Sequence, residues 1–171
     1  MKIKTFLTAA LTFGAFLTVT TVNGAAVDRK DIIEKAQFTI SGNCTFGDKL
    51  IRTTGKKVLL VSNETFQVNT RQIWLLRCSI RSKSKTPGKV RVGFRPLDAK
   101  EKPIGKDIWC SEFVKAGKRW KEVGGGISLV DKSENENITV QWHKDVKNTR
   151  VMIEAQGDAE IIEFALEILE E

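Results

Sequence analysis

Apolar residues recur at every second position in two stretches near the middle of the chain, and this period limits the fold more than any other feature. The two stretches, residues 72–82 and 90–95, place these apolar side chains in phase: Trp74, Leu76, Cys78, Ile80, Val90, Val92 and Phe94. Successive side chains of a β-strand point to opposite faces, so the spacing predicts two strands that each bury one face. The intervening positions carry the arginines Arg77, Arg81, Arg91 and Arg95, which we expect on the outer face.

The segment between these stretches predicts a turn. Residues 83–88 include Pro87, which presets φ, and Gly88, which tolerates positive φ. We therefore expect the two strands to form a hairpin. In such a hairpin the facing outer side chains lie within about 5 Å of one another, and the four arginines would share one surface.

Alternation returns in residues 37–40, 138–142 and 151–155, and residues 57–61 contain a short apolar run. The last stretch, residues 159–169, is ambiguous, because its apolar residues alternate while its Ala, Glu and Leu content and its glutamate spacing favour a helix. The tight Gly157-Asp158 connection favours a strand. About eight short strands joined by polar turns predict an all-β fold, an antiparallel β-sandwich.

The amino-terminal segment predicts export. Residues 1–26 combine a positive start, an apolar run and small residues at its end, as a cleaved signal peptide does. The alternative is a membrane anchor, for which the Thr-rich run is short. We expect residues 27–171 to form a single domain without a transmembrane segment. The predicted location is secreted or periplasmic, including the cell surface.

An oxidising compartment favours disulfides. The chain has three cysteines, which allow one bridge and one leftover thiol. Sequence spacing does not decide the pairing, but the apolar surroundings favour Cys78 with Cys110. The alternative is three buried free thiols. The sequence has no Cys-x-x-Cys spacing, so a zinc site is not expected.

The order of these stretches resembles the galactose-binding-like jelly-roll domains of secreted carbohydrate-binding modules. The resemblance rests on residues 37–40, 57–61, 73–82 and 90–99, and on residues 117–123, which place Trp120 after Gly117. It implies a jelly roll whose residues 159–169 form a final strand. It also implies polysaccharide binding and allows for a structural Ca²⁺, although no Asp-rich ligand loop marks one. No further cofactor is implied.

Two tryptophans are candidates for sugar stacking. Trp109 alternates against Ile108 and Cys110, and Trp120 lies among basic residues, so both are expected to face outward. Trp74 and Trp142 are in phase with apolar neighbours and are expected in the core.

The arginines are candidates for anion binding. The formal net charge is +7, and guanidinium groups suit carboxylate or sulfate. The alternative is an ordinary solvated strand face whose arginines pair with acids from the next strand, for example Glu163 or Glu167.

These features favour a binding protein over an enzyme. His143 is the single histidine, and no nucleophile motif is present. We expect a non-catalytic protein that binds extracellular or cell-surface polysaccharide, with acidic polysaccharide favoured by the charge. Nucleic acid is not an expected partner of an exported protein. The alternative is a structural or protein-interaction β-sandwich that binds no glycan.

Overall fold

The computed structural model describes residues 27–69, 72–128, 138–142 and 145–170. The predicted signal segment (residues 1–26) and His143 lie outside the described residues. The described residues form one 3₁₀ turn, Lys35–Gln37, and these strands: β1 (Val27–Asp31), β2 (Phe38–Gly47), β3 (Leu50–Ser62), β4 (Phe66–Gln67), β5 (Gln72–Arg81), β6 (Lys89–Leu97), β7 (Ile108–Trp109), β8 (Val114–Lys115), β9 (Lys121–Ser128), β10 (Ile138–Gln141), β11 (Asn148–Gln156) and β12 (Ala159–Glu170). Within this part of the chain, no helix has the length and apolar character needed to cross a membrane.

The strands make a curled sheet that folds into two packed layers. Its order is β10-β9-β5-β12-β3-β11-β6-β7, with β1 beside β12, β2 beside β3, β4 beside β11 and β8 beside β6. One layer holds β1, β12, β5, β9 and β10, and the other holds the remaining strands. The layers join where the first residues of β12, Ala159 to Ile161, pair with β3. Of the described pairings, β9 with β10 is parallel, and the others between strands are antiparallel. The predicted all-β sandwich of jelly-roll type is confirmed.

The core lies between the two layers and contains the apolar face of each strand. Trp74 of β5 and Phe94 of β6 are fully buried and pack edge to face, with ring centroids 6.1 Å apart. Trp142 joins this group, 5.8 Å from Trp74. The predicted burial of Trp74 and Trp142 is therefore correct.

The predicted hairpin between β5 and β6 is wrong. β5 pairs with β12 and β9, whereas β6 pairs with β11, β7 and β8. The intervening residues carry the chain from one layer to the other. Two backbone hydrogen bonds hold this connection: Ser82 N–H donates to the carbonyl of Gly117, and Gly88 N–H donates to the carbonyl of Asp158. The two apolar faces meet across the core instead of lying side by side in one sheet.

The final stretch is a strand, as the resemblance implies. β12 forms hydrogen-bonded ladders with β5 on one side and with β3 and β1 on the other. The register shifts between Ile162 and Ala165, where Glu163 has a φ of 56°. This bulge places Ile161 and Phe164 in the core and leaves Ile162 partly exposed, so the expected alternation begins only after the bulge.

The predicted Cys78–Cys110 disulfide is not formed, and all three cysteines are reduced. Cys78 lies opposite Val123 of β9, whereas Cys110 lies against Gly125, two residues further along that strand. The two thiols are therefore offset along β9. Burial raises the pKa of both thiols well above the ordinary value.

Residues 108–121, the crossing segment, close one edge of the sandwich. β7 and β8 at its start pair with β6, and its end leads into β9, which pairs with β5. The segment thus runs from one layer to the other and carries both candidate tryptophans.

Candidate functional site

The four candidate arginines lie on two opposite surfaces. Arg77 and Arg81 alternate with the buried residues of β5, and Arg91 and Arg95 alternate with those of β6. Because the apolar faces of β5 and β6 meet in the core, the arginine-bearing faces point away from each other. The expectation that a hairpin would place the four arginines on one surface is therefore wrong.

Each of these arginines forms an ion pair. The pairs are Arg77 with Glu167, Arg81 with Glu160, Arg91 with Glu154, and Arg95 with Asp107. Glu167 was named in the alternative interpretation, and it also accepts from Arg29 at 3.3 Å. The other acid named there, Glu163, bonds instead to Ser79 at 3.0 Å.

Arg95 and Arg77 are paired with acids and, in the described part of the chain, have no aromatic partner. Arg95 donates two hydrogen bonds of 2.9 Å to the two oxygens of Asp107, which raises the pKa of Arg95. Neither Arg95 nor Arg77 contacts an aromatic ring among the described residues. The structure therefore favours Arg81 and Arg91 as binding residues.

Arg81 stacks on Trp120. Its guanidinium carbon is 4.2 Å from the ring centroid, and Trp120 is 38% exposed, the most exposed large hydrophobic side chain described. The Nε of Arg81 donates to Glu160 at 2.6 Å, and Glu160 also accepts from Arg52 at 3.2 Å. Trp120, Arg81, Glu160 and Arg52, with the exposed cations around them, are called the Trp120 cluster.

The Trp120 cluster is strongly basic. Four exposed cations adjoin Arg81 or Trp120 in the chain, Lys83, Lys118, Arg119 and Lys121, whereas one exposed acid, Glu122, follows them. The hydrogen bond from Arg81 lowers the pKa of Glu160 despite the opposing effect of burial, and Arg52 and Lys83 add to the lowering. The carboxylate thus holds Arg81 in place without cancelling the surrounding charge.

A second group of rings and cations lies on the opposite surface. The Arg91 guanidinium is 3.8 Å from the ring centroid of Trp109 and 4.4 Å from that of Phe113, and Lys89 is 4.5 Å from Phe113. Trp109 lies directly against Gly93 of β6, where an added Cβ would be 2.9 Å from the indole. These residues, with Glu154 and Lys57, are called the Trp109 cluster.

Glu154 holds the Trp109 cluster together. Its side chain is buried, and one of its oxygens accepts from Arg91 Nε at 3.0 Å and from a terminal nitrogen of Arg91 at 2.5 Å. The carboxylate also contacts Lys57 Nζ at 3.5 Å. Burial alone would raise the pKa of this carboxyl, but the hydrogen bond and charge of Arg91, with the charge of Lys57, lower it. Glu154 is therefore ionised at neutral pH and fixes the position of Arg91.

A cleft elsewhere on the molecule has the opposite charge balance. Its volume is about 580 Å³, and its charged lining residues are Asp31, Glu34, Asp48, Glu163, Arg29 and Lys49. Acidic groups outnumber basic ones, so this cleft does not suit an anionic ligand. It contains none of the candidate binding residues.

The described residues contain no group of three or more His, Cys, Asp or Glu side chains placed to hold a metal ion. The structure thus assigns no residues to the structural Ca²⁺ that the resemblance allows for.

Several residues of these clusters were not anticipated, among them Phe113, Glu154 and Glu160. Glu154 had a sequence signal, since it is an acid inside the apolar stretch 151–155, and such an acid needs an ion-pair partner once buried. Phe113 and Glu160 had no comparable signal, because their roles depend on strand pairing.

Comparison with solved structures identifies the fold. The CBM22-1 xylan-binding domain from Paenibacillus barcinonensis Xyn10C matches 86% of this chain and 97% of that domain, with a TM-score of 0.55 and 10% sequence identity. The chain has the fold of these modules. The galactose-binding-like jelly roll expected from the sequence is thus confirmed as a fold.

Other matches are more distant. The family 11 carbohydrate-binding module of cellulosomal cellulase Lic26A-Cel5E of Clostridium thermocellum has a TM-score of 0.42 and 13% identity, over 84% of this chain and 82% of that one. The enzymatically active domain of bacteriophage CBA120 tailspike protein 4 has a TM-score of 0.45 and 7% identity, and the match covers 84% of this chain and 19% of that one. No family model matches the sequence, and the search of curated proteins finds no significant match.

Proposed function

We propose that this chain is an exported, non-catalytic carbohydrate-binding module that binds acidic polysaccharide at the Trp120 cluster. The observation that carries the proposal is the stacking of Arg81 on the exposed ring of Trp120 within a basic surface. The shared fold with a xylan-binding domain supports polysaccharide as the ligand class.

The chemistry of the cluster fits an acidic sugar. The apolar C–H face of a pyranose ring packs on an indole, so the exposed part of Trp120 offers a platform. Arg81 donates to Glu160 through Nε, and its two terminal nitrogens have no hydrogen-bond partner in the described part of the chain. Those nitrogens present the planar donor pair that a carboxylate or sulfate accepts.

Binding is tested by isothermal titration calorimetry with polygalacturonate and with unsubstituted xylan. We expect the acidic polymer to bind more tightly, because the cations of the cluster outnumber its acids. Trp120→Ala and Arg81→Gln should each weaken binding about tenfold, the equivalent of about 1.4 kcal/mol.

Lys147→Ala is the control, because Lys147 is exposed and lies immediately before β11, at the opposite end of the strands from Arg81. It removes one positive charge outside the cluster and should leave affinity unchanged. Equal losses in the control and the cluster variants would overturn the site. Failure of the wild-type protein to bind any glycan offered would overturn the function and favour a protein-interaction module.

Two further measurements test the remaining parts of the proposal. Release of reducing ends from a polysaccharide during incubation would contradict a non-catalytic role. Expression of the full chain followed by sequencing of the exported protein tests the signal peptide: a start near residue 27 supports it, and an intact Met1 contradicts it.

A further inference from the structure

We infer that the Trp109 cluster is a second, independent site for acidic glycans, so that one molecule bridges two polysaccharide chains. This inference rests on the proposed function and extends it to the opposite surface of the sandwich.

The Trp109 cluster repeats the chemistry of the Trp120 cluster with different residues. Arg91 stacks on Trp109 and is held by Glu154 of β11, as Arg81 stacks on Trp120 and is held by Glu160 of β12. In both cases an acid on the neighbouring strand orients the guanidinium. Orientation before binding lowers the entropy lost when an anion is captured.

The charge of the Trp109 cluster is incompletely balanced. Lys57 and Arg91 contact one buried carboxylate, Glu154, and Lys89 lies over the Phe113 ring that Arg91 also contacts. Lys115 adds a further positive charge, because it pairs directly with Lys89 across the β6–β8 ladder. Among the described residues this surface therefore has spare positive charge, which a uronate or sulfate group would neutralise.

The aromatic rings fix where the cations lie. Phe113 has Arg91 at 4.4 Å and Lys89 at 4.5 Å from its centroid, and the attraction between a cation and the face of an aromatic ring favours these positions. Trp109 and Phe113 are both partly exposed. The cluster thus offers apolar ring surface and two positioned cations side by side.

The two clusters are independent because they face opposite ways. Trp109 and Arg91 are on the outer face of the β6 layer, and Trp120 and Arg81 are on that of the β5 layer. Their acids come from different strands and share no partner. A stiff polysaccharide seated on one cluster would have to bend round the crossing segment to reach the other, so we expect two separate chains to be bound.

Stoichiometry with hexagalacturonate is the first test. Calorimetry should give two sites per wild-type molecule. Lys89→Gln and Phe113→Ala should each reduce this to one site, as should Trp120→Ala on the other surface. Lys89 is exposed, so its variant avoids the risk that Phe113→Ala disturbs folding, and Lys147→Ala controls for loss of charge. Circular dichroism melts verify that each variant is folded.

Light scattering with long polygalacturonate is the second test. Bridging predicts scattering that rises and then falls as protein is added, because excess protein leaves each polymer separately coated. Lys89→Gln should abolish the maximum while hexagalacturonate still binds at the Trp120 cluster.

The outcomes separate the two proposals. One site in the wild type, lost completely in Trp120→Ala, overturns the second site and leaves the proposed function standing. Two sites without a scattering maximum overturn bridging. Absence of hexagalacturonate binding to the wild type overturns both.

Discussion

Gly125 lies where β9 passes the carbonyl oxygen of Cys110 so closely that no side chain fits between them. A Cβ at this position would be 2.0 Å from that oxygen, well inside van der Waals contact. Both partners are backbone, so neither can rotate away, and the strand itself would have to move.

We therefore predict that Gly125→Ala lowers the free energy of unfolding by about 3 kcal/mol, the upper range for overpacking a close contact. Gly47→Ala is the matched control, because the nearest atom to an added Cβ there is 3.9 Å away. Urea titrations followed by tryptophan fluorescence measure both. Similar stability of the two variants would contradict the close approach.

The thiols provide a second prediction for individual residues. Cys78 and Cys110 are buried and Cys44 is partly exposed, and burial raises the pKa of each thiol. Since the thiolate is the reactive form, 5,5′-dithiobis(2-nitrobenzoate) should modify Cys44 first in the native protein. Cys78 and Cys110 should react only after denaturant is added. Peptide mapping that finds a Cys78–Cys110 bridge would contradict the structure.

Burial of individual side chains was predictable from the sequence where a regular period existed. Trp74 and the outward arginines were placed correctly because a strand fixes the direction of each side chain. The partners of those arginines were not predictable, since Glu154 and Glu160 are 63 and 79 residues away from Arg91 and Arg81.

At the level of elements, β12 shows how pairing overrides composition. Its Ala, Glu and Leu content favours a helix, but neighbouring strands on both edges satisfy its backbone, and one face is buried. Helix propensity differs by only tenths of a kcal/mol between ordinary residues, which is small against the burial of Ile161, Phe164 and Leu166. The bulge at Glu163 had no signal in the alternation.

The pairing of β5 with β12 predicts a pH-dependent stability. Arg81 lowers the pKa of Glu160 in the folded protein below its ordinary value of 4.5. The ionised carboxylate therefore stabilises the fold fully above about pH 4.5, and this contribution is lost as pH falls through the lower folded pKa.

Glu160→Gln should therefore lower the free energy of unfolding by about 1 kcal/mol at pH 7. Below about pH 4.5 the variant should lose less stability than the wild type as the pH falls. Urea titrations from pH 7 to pH 3 measure this. Glu112→Gln is the control, as its carboxylate is exposed and forms no ion pair among the described residues. Parallel curves for wild type and Glu160→Gln would contradict the pairing.

For the whole molecule, the alternation identified which side of each strand is buried but not which strand lies beside it. A hairpin and a crossing between layers place the same residues inside, and the choice between them depends on long-range pairing with β9, β11 and β12. The class of the fold was therefore predictable, whereas the division of the arginines between two surfaces was not.

The net charge of +7 leads to a prediction for binding by the whole molecule. Raising NaCl from 0.05 M to 0.5 M should weaken binding to polygalacturonate at least about tenfold, because salt shortens the range of charge interactions to a few ångströms. The melting temperature serves as the control and should change little. Affinity that does not respond to salt would indicate recognition of neutral sugar groups instead.

The crossing segment carries Trp109, Phe113 and Trp120 on one uninterrupted length of backbone. An insertion or deletion within it would shift the spacing and angle of both aromatic platforms at once, whereas a substitution alters one and spares the other. A substitution can thus change one aromatic platform alone, whereas the distance and angle between the two platforms depend on the length of the whole segment.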